Sequence, residues 1–346
     1  MKKLASLSLA CLLLFSLLSA CGAPKETQNP PAPTELQPIV FTEPVRGYHW
    51  APAYLAETLG YFAEEGLKAD FQTVTGADAS APVFSGDAQF GLRGVEMALM
   101  SAEAGQGCKI IYSTTSHYPY QLIGASDKYT TVESLRGGVI AGGQGPTSAP
   151  QAFSKAILNH AGMQAETDAS VISMASAGYL AAIKSGEIQA AVATNPWAAK
   201  TLQDNGGKVI VDGADEATME SLMGSTTYEL FMIFTTDAYL KENPETVQKV
   251  VKAMAKASRW METATPEEIA KQLEPLFEGR YEELLYSAQV DKDTKLSNPT
   301  GYHTESGLKA AISLTALSGG IKNTNVDPDQ IYDESFLDQA WTELSK

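Results

Sequence analysis

Cysteine is scarce in these 346 residues: only Cys11, Cys21 and Cys108 occur. Basic side chains are also few, 25 Lys plus Arg against 41 Asp plus Glu. The formal charge of −16 disfavours a nucleic acid partner, because phosphate-backbone binding needs a positive surface. There are four histidines, His49, His117, His160 and His303, with no i, i+4 pair and no cysteine cluster, so no resident metal site is expected. No Gly-x-Ser-x-Gly elbow is present. The glycine-rich stretch Gly142–Ser148 has no Lys and so is not a nucleotide-type P-loop. What the chain does have is 44% hydrophobic residues, ample for a buried core, and a length that suggests about two domains.

The one long apolar run lies at the start. Lys2 and Lys3 precede Leu4 to Leu18, which contains Ser as its only polar residue besides Cys11, and Leu18-Ser19-Ala20-Cys21 follows. At about 15 residues the run is short of the roughly 20 that span a bilayer, and the pattern reads as a lipoprotein signal peptide over 1–20. A permanent membrane helix with an incidental cysteine is the alternative. Cleavage would make Cys21 the first residue and the site of lipidation, giving an extracytoplasmic protein anchored to the bacterial cell membrane. Cys108 then stands alone, so no intramolecular disulfide is expected despite an oxidising compartment. Residues 21–38 carry Pro24, Pro30, Pro31, Pro33 and Pro38 among polar residues and read as a flexible tether.

From Ile39 onward, short apolar runs alternate with amphipathic stretches. Strands are expected at 39–41, 69–74, 89–92 and 109–113, with helices at 53–65 and 96–104. A second cycle has a short helix at 132–135, strands at 139–141, 171–173, 190–193 and 208–211, and helices at 148–160, 177–184 and 196–204. A strand within 228–235 returns the chain to the first unit, and helices follow at 244–263, 266–277, 305–317 and 335–344. Such βαβ alternation predicts two α/β lobes with parallel sheets: 39–125 and 226–346 forming one, 126–225 the other. The chain would cross between them near 124–128 and 220–234, leaving a ligand cleft at the carboxyl ends of the strands.

Pro52-Ala53-Tyr54-Leu55-Ala56 followed by Gly60-Tyr61-Phe62-Ala63-Glu64-Glu65-Gly66-Leu67 resembles the opening of one family of ABC-transporter solute-binding proteins, serving nitrate, taurine, sulfonates and pyrimidine precursors of thiamine. Further matches come in order: Phe84-Ser85-Gly86-Asp87-Ala88-Gln89-Phe90-Gly91, then Val132-Glu133-Ser134-Leu135-Arg136-Gly137-Gly138, then Lys184 to Ala191 preceding Asn195-Pro196-Trp197. Asn195 departs from the acidic residue common at that place. The resemblance covers about 39–260 and implies a type II periplasmic-binding-protein fold that traps its ligand by hinge closure.

Residues that follow strands are the candidates for the site. Tyr48, His49 and Trp50 can stack on a flat ligand, or staple the next helix. Arg93 can grip a carboxylate or sulfonate, or pair with Glu96. Gln144, Gly145, Thr147 and Ser148 join a strand to a helix and can offer N–H groups and hydroxyls to a polar ligand end, with capping as a compatible role. Asn195 can hydrogen-bond and Trp197 can form a wall, or Trp197 can pack beneath its helix. His117, Tyr118 and Tyr120, near the first crossing, can line the cleft or pack the hinge. The basic helix Lys249, Lys252, Lys256, Arg259 reads as a solvated face over a core stripe in preference to a membrane-surface helix.

The expectation is a monomeric, lipid-anchored protein, without cofactor, that passes a small organic molecule to an ABC permease and its ATPase. The ligand is a sulfonate or carboxylate, or a heteroaromatic vitamin precursor. Two alternatives remain at this point: a ligand sensor coupled to a membrane receptor, and an enzyme like the thiamine-pyrimidine synthase branch of the same fold. That branch consumes its own His and carries a Cys-rich segment, which this chain lacks.

Overall fold

The computed structural model describes residues 35–74, 78–143, 145–194 and 196–346. The expected signal peptide, the lipidation site Cys21 and nearly all of the tether lie outside these residues, as do Gln144 and Asn195. Two five-stranded sheets organise the rest. The first contains β1 (Gln37–Glu43), β2 (Leu67–Thr73), β3 (Phe90–Gly94), β4 (Cys108–Ser113) and β10 (Phe231–Thr236), in the order β2-β1-β3-β10-β4. The second contains β5 (Tyr120–Gly124), β6 (Val139–Ala141), β7 (Ser170–Ile172), β8 (Ala190–Thr194) and β9 (Lys208–Asp212), in the order β7-β6-β8-β5-β9.

Each sheet has one strand of opposite direction. β10 runs antiparallel between β3 and β4, with Phe231 opposite Gly94 and Met232 opposite both Arg93 and Ser113. β5 runs antiparallel between β8 and β9, with Tyr120 opposite Thr194. The amino ends of β5 and β10 therefore lie at the edges where the parallel strands end, and that edge is where open α/β sheets place ligands.

β5 was not anticipated, and it moves the first lobe boundary. The chain leaves the first sheet after Ser113 and enters the second at Tyr120, ahead of the expected crossing at 124–128. Tyr-Gln-Leu-Ile-Gly is short and bounded by Pro119, so nothing in its own pattern marks it as a central strand. The two crossings touch: the Tyr228 N–H donates to Ser116 O at 2.9 Å, and the rings of Tyr118 and Tyr228 lie 4.6 Å apart, edge to face.

Both faces of the sheets are covered, as parallel strands require. Along β8, Ala190 and Val192 join the main core, whereas Ala191 and Ala193 join a smaller cluster with Tyr179, Ala182, Ala199 and Leu202. The helix expected at 53–65 is broken. Ala51–Thr58 ends at Leu59, Gly60 adopts φ 78°, and Tyr61–Glu64 restarts; only glycine takes that left-handed conformation at no steric cost.

The helix Pro244–Thr263 buries Val247, Val250, Val251 and Met254, with Pro at its first turn. Its basic face meets acids: Lys252 pairs with Glu65 and Glu343, each at 3.1 Å, and Lys256 with Glu64. The next helix opens on a full capping box between Thr265 and Glu268. Helices Tyr281–Thr294 and Glu216–Met223 were not read from the sequence; the first packs on Trp197–Asp204 of the second lobe. Glu305–Leu317 packs on both Val95–Glu103 and Ala149–His160, so the C-terminal helices are not confined to the first lobe. No described helix is long and apolar enough to cross a membrane.

Candidate functional site

The loop after β1 is held by a buried acid. Glu43 is fully buried and accepts from Arg46 Nε at 2.8 Å, from Thr73 Oγ1 at 2.8 Å and from the Tyr54 hydroxyl. Arg46 spends its other nitrogens on backbone: Nη1 donates to Leu276 O at 2.9 Å and Nη2 to Phe71 O at 2.8 Å. This clamp ties the loop to β2 and to the short turn Glu274–Leu276, and so fixes where Tyr48, His49 and Trp50 stand.

Those three aromatic residues part company. The Tyr48 hydroxyl donates to Asp291 Oδ2 at 2.9 Å, and Asp291 also accepts from the backbone N–H and hydroxyl of Ser297, both at 2.7 Å. Tyr48 is thereby committed to packing. The His49 ring lies face to face with Phe231 at 3.8 Å, and Trp50 is edge-on to both at 4.1 and 5.2 Å. Gly47 makes this possible, because a Cβ there would overlap the His49 ring. Burial lowers the His49 imidazole pKa to about 3, so the ring is neutral at ordinary pH.

The second wall begins at β3. Gly94 ends the strand and the helix Val95–Glu103 starts, with the Glu96 carboxylate folded back over Gly94, where a Cβ would overlap it. Arg93 pairs with Asp78 at 3.5 Å, and not with Glu96 as the local spacing offered. Asp78 in turn accepts from the Ser80 N–H at 3.0 Å and its hydroxyl at 2.5 Å. Burial raises the Glu96 carboxyl above its ordinary value, against its own backbone N–H and Arg93. Burial raises the phenols of Tyr118, Tyr120 and Tyr228, and the Glu96 carboxyl adds to the shift in each.

The second lobe contributes from its strand ends. Tyr120 lies 6.4 Å from Phe231 and so continues the aromatic wall across the lobes. The Gly143 N–H donates to the Tyr179 hydroxyl at 2.8 Å, Gly145 takes φ 91°, and the Ser148 hydroxyl donates to Gly145 O at 2.9 Å. A cavity of about 540 Å³ is lined by Asp78, Arg93 and Glu96 from one lobe and Thr147 and Ser148 from the other. The expected candidates Arg93, Thr147 and Ser148 are therefore brought together.

Others are not. His117 lines a separate cavity of about 460 Å³ with Asp291, Lys295 and Ser297, its Nδ1 2.9 Å from Lys295 O and its Nε2 3.6 Å from Glu216. Tyr118 is fully buried and donates to Ala149 O at 2.9 Å, which makes it a hinge residue. Trp197 is half-buried, edge-on to Tyr286 at 6.2 Å.

Seven buried side-chain polar atoms lack a hydrogen-bond partner among the described residues, and four of them belong to this region: His49 Nε2, Trp50 Nε1, Arg93 Nε and Glu96 Oε2. Buried polar atoms are ordinarily satisfied, so this concentration marks a place for a polar guest. Phe231 and Glu96 as site residues escaped the sequence reading, whereas Tyr120 was among the residues expected to line the cleft or pack the hinge. Phe231 opens an antiparallel strand, and only knowledge of sheet order places it at the ligand edge. No group of three or more potential metal ligands occurs among the described residues.

Residues 48–269 match the family model described as NMT1/THI5 like. A putative binding protein, YtlA of Bacillus subtilis (strain 168), is 24% identical over 277 residues, covering 79% of this chain and 78% of its own. A protein of Bordetella bronchiseptica RB50 superposes with a TM-score of 0.75 at 23% identity, covering 90% of this chain and 99% of that one. The periplasmic aliphatic sulphonate binding protein SsuA of Escherichia coli gives 0.63 at 16% identity, with 86% and 97% covered. The desulfurization enzyme DSZB gives 0.66 at 15%, with 89% and 99% covered, so the fold also carries catalysis elsewhere. The two mixed sheets match periplasmic solute-binding structures, and the sequence resemblance is borne out: the chain belongs to the NMT1/THI5-like family.

Proposed function

We propose that this protein is an extracytoplasmic solute-binding protein, anchored through lipid on Cys21, that captures a small organic molecule and presents it to an ABC permease and its ATPase. The observation that carries the reading is the cleft. Two lobes joined by paired crossings meet around His49, Trp50, Phe231, Tyr120 and a cavity lined from both sides, with four polar atoms left unpartnered. A guest touching both lobes binds the closed arrangement better than the open one, and that difference drives closure.

The role is read as binding because YtlA of Bacillus subtilis and SsuA of Escherichia coli, to which the chain is similar, are named as binding proteins. His49 is a neutral ring stacked on Phe231, with no acid or nucleophile hydrogen-bonded to its free nitrogen, and Tyr48 is committed to Asp291.

A thermal-shift screen of the purified chain against nitrate, taurine, alkanesulfonates, pyrimidines, flavins and aromatic acids tests the binding role. Ligand at about a hundredfold its Kd adds roughly 2.7 kcal/mol of stability. A panel without any shift, from a protein that also carries no co-purifying small molecule, would refute it. Fractionation tests the anchor: the wild-type chain is expected with membranes and Cys21→Ser in the soluble fraction, and equal partition of the two would remove the lipid from the account.

A further inference from the structure

The first crossing changes allegiance within one residue, and a histidine stands at the change. The Asn298 N–H donates to Thr114 O at 2.9 Å, the Ser116 N–H donates to Leu296 O at 2.8 Å, and His117 Nδ1 lies 2.9 Å from Lys295 O. Residues 114–117 are thereby zipped to the loop that follows the helix Tyr281–Thr294. The next residue belongs to the other lobe: the Tyr118 hydroxyl donates to Ala149 O at 2.9 Å and its ring packs on Phe153 at 4.7 Å. The pivot of this crossing therefore lies between His117 and Tyr118. Across it, His117 Nε2 stands 3.6 Å from Glu216 Oε1, at the start of the helix Glu216–Met223 of the second lobe. Among the described residues this is the one ion pair that joins the two lobes.

A carbonyl only accepts, so His117 Nδ1 carries a proton. In the neutral ring Nε2 is then a bare acceptor, and its lone pair is turned to a carboxylate that also only accepts. A proton added at Nε2 converts two facing acceptors into a charge-assisted donor and acceptor. The other charges around the ring are engaged elsewhere or point to solvent. In the cavity that His117 lines, Asp291 accepts from Tyr48 and Ser297, the Lys292 ammonium donates to Met261 O and Glu262 O, and the Lys295 and Glu262 side chains are exposed. At the helix start Asp215 accepts from the Thr218 N–H at 2.8 Å. His117 is buried and Glu216 is exposed, so the imidazole stays fixed while the acid moves with its lobe.

We propose that His117 and Glu216 form a proton-operated strap across the hinge: with the imidazole protonated the pair holds the lobes in the arrangement seen here, and with the imidazole neutral nothing in the pair opposes their separation. Histidine is the side chain that ordinarily changes charge between about pH 5 and 8, so the strap tightens as pH falls through that range. Granted the solute-binding reading above, a captured molecule is then held longer in an acidic medium than in a neutral one. The strap itself needs no ligand.

The test is therefore made without ligand. Small-angle X-ray scattering on the purified full chain is expected to give a larger radius of gyration at about pH 8 than at about pH 5.5, and Glu216→Gln is expected to give the larger value at both. A double-mutant cycle of His117→Gln and Glu216→Gln, read by chemical denaturation, should show the two residues coupled by about threefold in the unfolding constant at the lower pH and uncoupled at the higher, since a pair with one exposed partner contributes modestly. An equal radius at both pH values in the wild type overturns the proposal, and so does equal coupling at both. A radius that rises with pH as much in Glu216→Gln as in the wild type also overturns it, and moves the sensor to Glu229 of the second crossing, beside Thr304 and His303. Scattering from the wild type and Glu216→Gln, an exposed position, decides the matter if His117→Gln does not fold. None of these outcomes bears on the solute-binding reading, which the ligand screen decides separately.

Discussion

Arg46→Met is the perturbation that most directly tests how the fold holds the site. The guanidinium makes three hydrogen bonds, to Glu43 Oε1, Leu276 O and Phe71 O, at 2.8, 2.9 and 2.8 Å. Methionine keeps much of the packing against Tyr54 but leaves Glu43, fully buried, with only the hydroxyls of Tyr54 and Thr73. Removing one partner of a buried ion pair costs about 3–5 kcal/mol. At roughly 2 °C per kcal/mol for a chain of this size, the melting temperature should fall by about 6–10 °C. The double variant Glu43→Gln, Arg46→Met removes both charges and should regain more than half of that loss, since the penalty lies in the stranded carboxylate. Calorimetry on the wild type and the two variants reads both numbers. A single variant within about 2 °C of wild type would refute the clamp. A double variant no better than the single one would place the effect in the stacking of Arg46 over the Tyr54 ring, 5.7 Å away, and not in charge.

Glu229 gives a pH-dependent test. Burial raises its carboxyl to about 7 from an ordinary 4.5, so between those values the native chain holds a proton that the unfolded chain releases. Its contribution to stability therefore falls as pH rises through that window, by up to roughly 3 kcal/mol. Glu229→Gln should gain on the wild type from pH 4.5 to 7 and hold a constant lead above it; a difference independent of pH would contradict this. Trp197→Ala should change the apo stability by less than about 1 kcal/mol, because the ring is half-buried and meets Tyr286 at its edge, and should leave ligand binding unchanged because the ring lies outside the cavity lined by Arg93, Thr147 and Ser148. A loss of about 3–5 kcal/mol in the apo protein would make Trp197 a core residue.

Periodicity and caps made most elements legible from the sequence. Pro244 to Thr263 and Glu305 to Leu317 read correctly to the residue because each has a strong apolar stripe and a marked start: Pro at the first turn in one, Thr304 capping the Gly307 N–H in the other. The helix Tyr281–Thr294 was missed because its buried residues, Leu284, Ser287, Ala288 and Asp291, include two polar ones, and the apolar stripe is correspondingly weak; Asp291 is buried because Tyr48, far off in the chain, donates to it. The candidate site was legible wherever a parallel strand ends in a loop of its own, as at Arg93 and Gly143 to Ser148. It was not legible at Phe231, which reaches the same edge because its strand runs the other way. Local spacing also misdirected Arg93 toward Glu96, when the acid that pairs with it, Asp78, precedes the strand.

The position of β10 has a bearing on how the protein assembles. In the first sheet it lies between β3 and β4, so the strands 37–113 cannot close their ladder until residues 231–236 arrive. The second sheet is made entirely from 120–212 and needs no such late insertion. Contacts of long sequence separation form slowly, because the intervening chain must be ordered first. As the chain emerges from a membrane pore or ribosome, the second lobe can therefore nucleate from its own segment. The first lobe, which carries Arg93, Glu96 and the aromatic loop, waits with an open gap in its middle. During that interval the exposed edges of β3 and β4 are the region in greatest need of protection from other chains. Substitutions in β10 should accordingly reduce yield more than their effect on the finished protein's melting temperature would suggest.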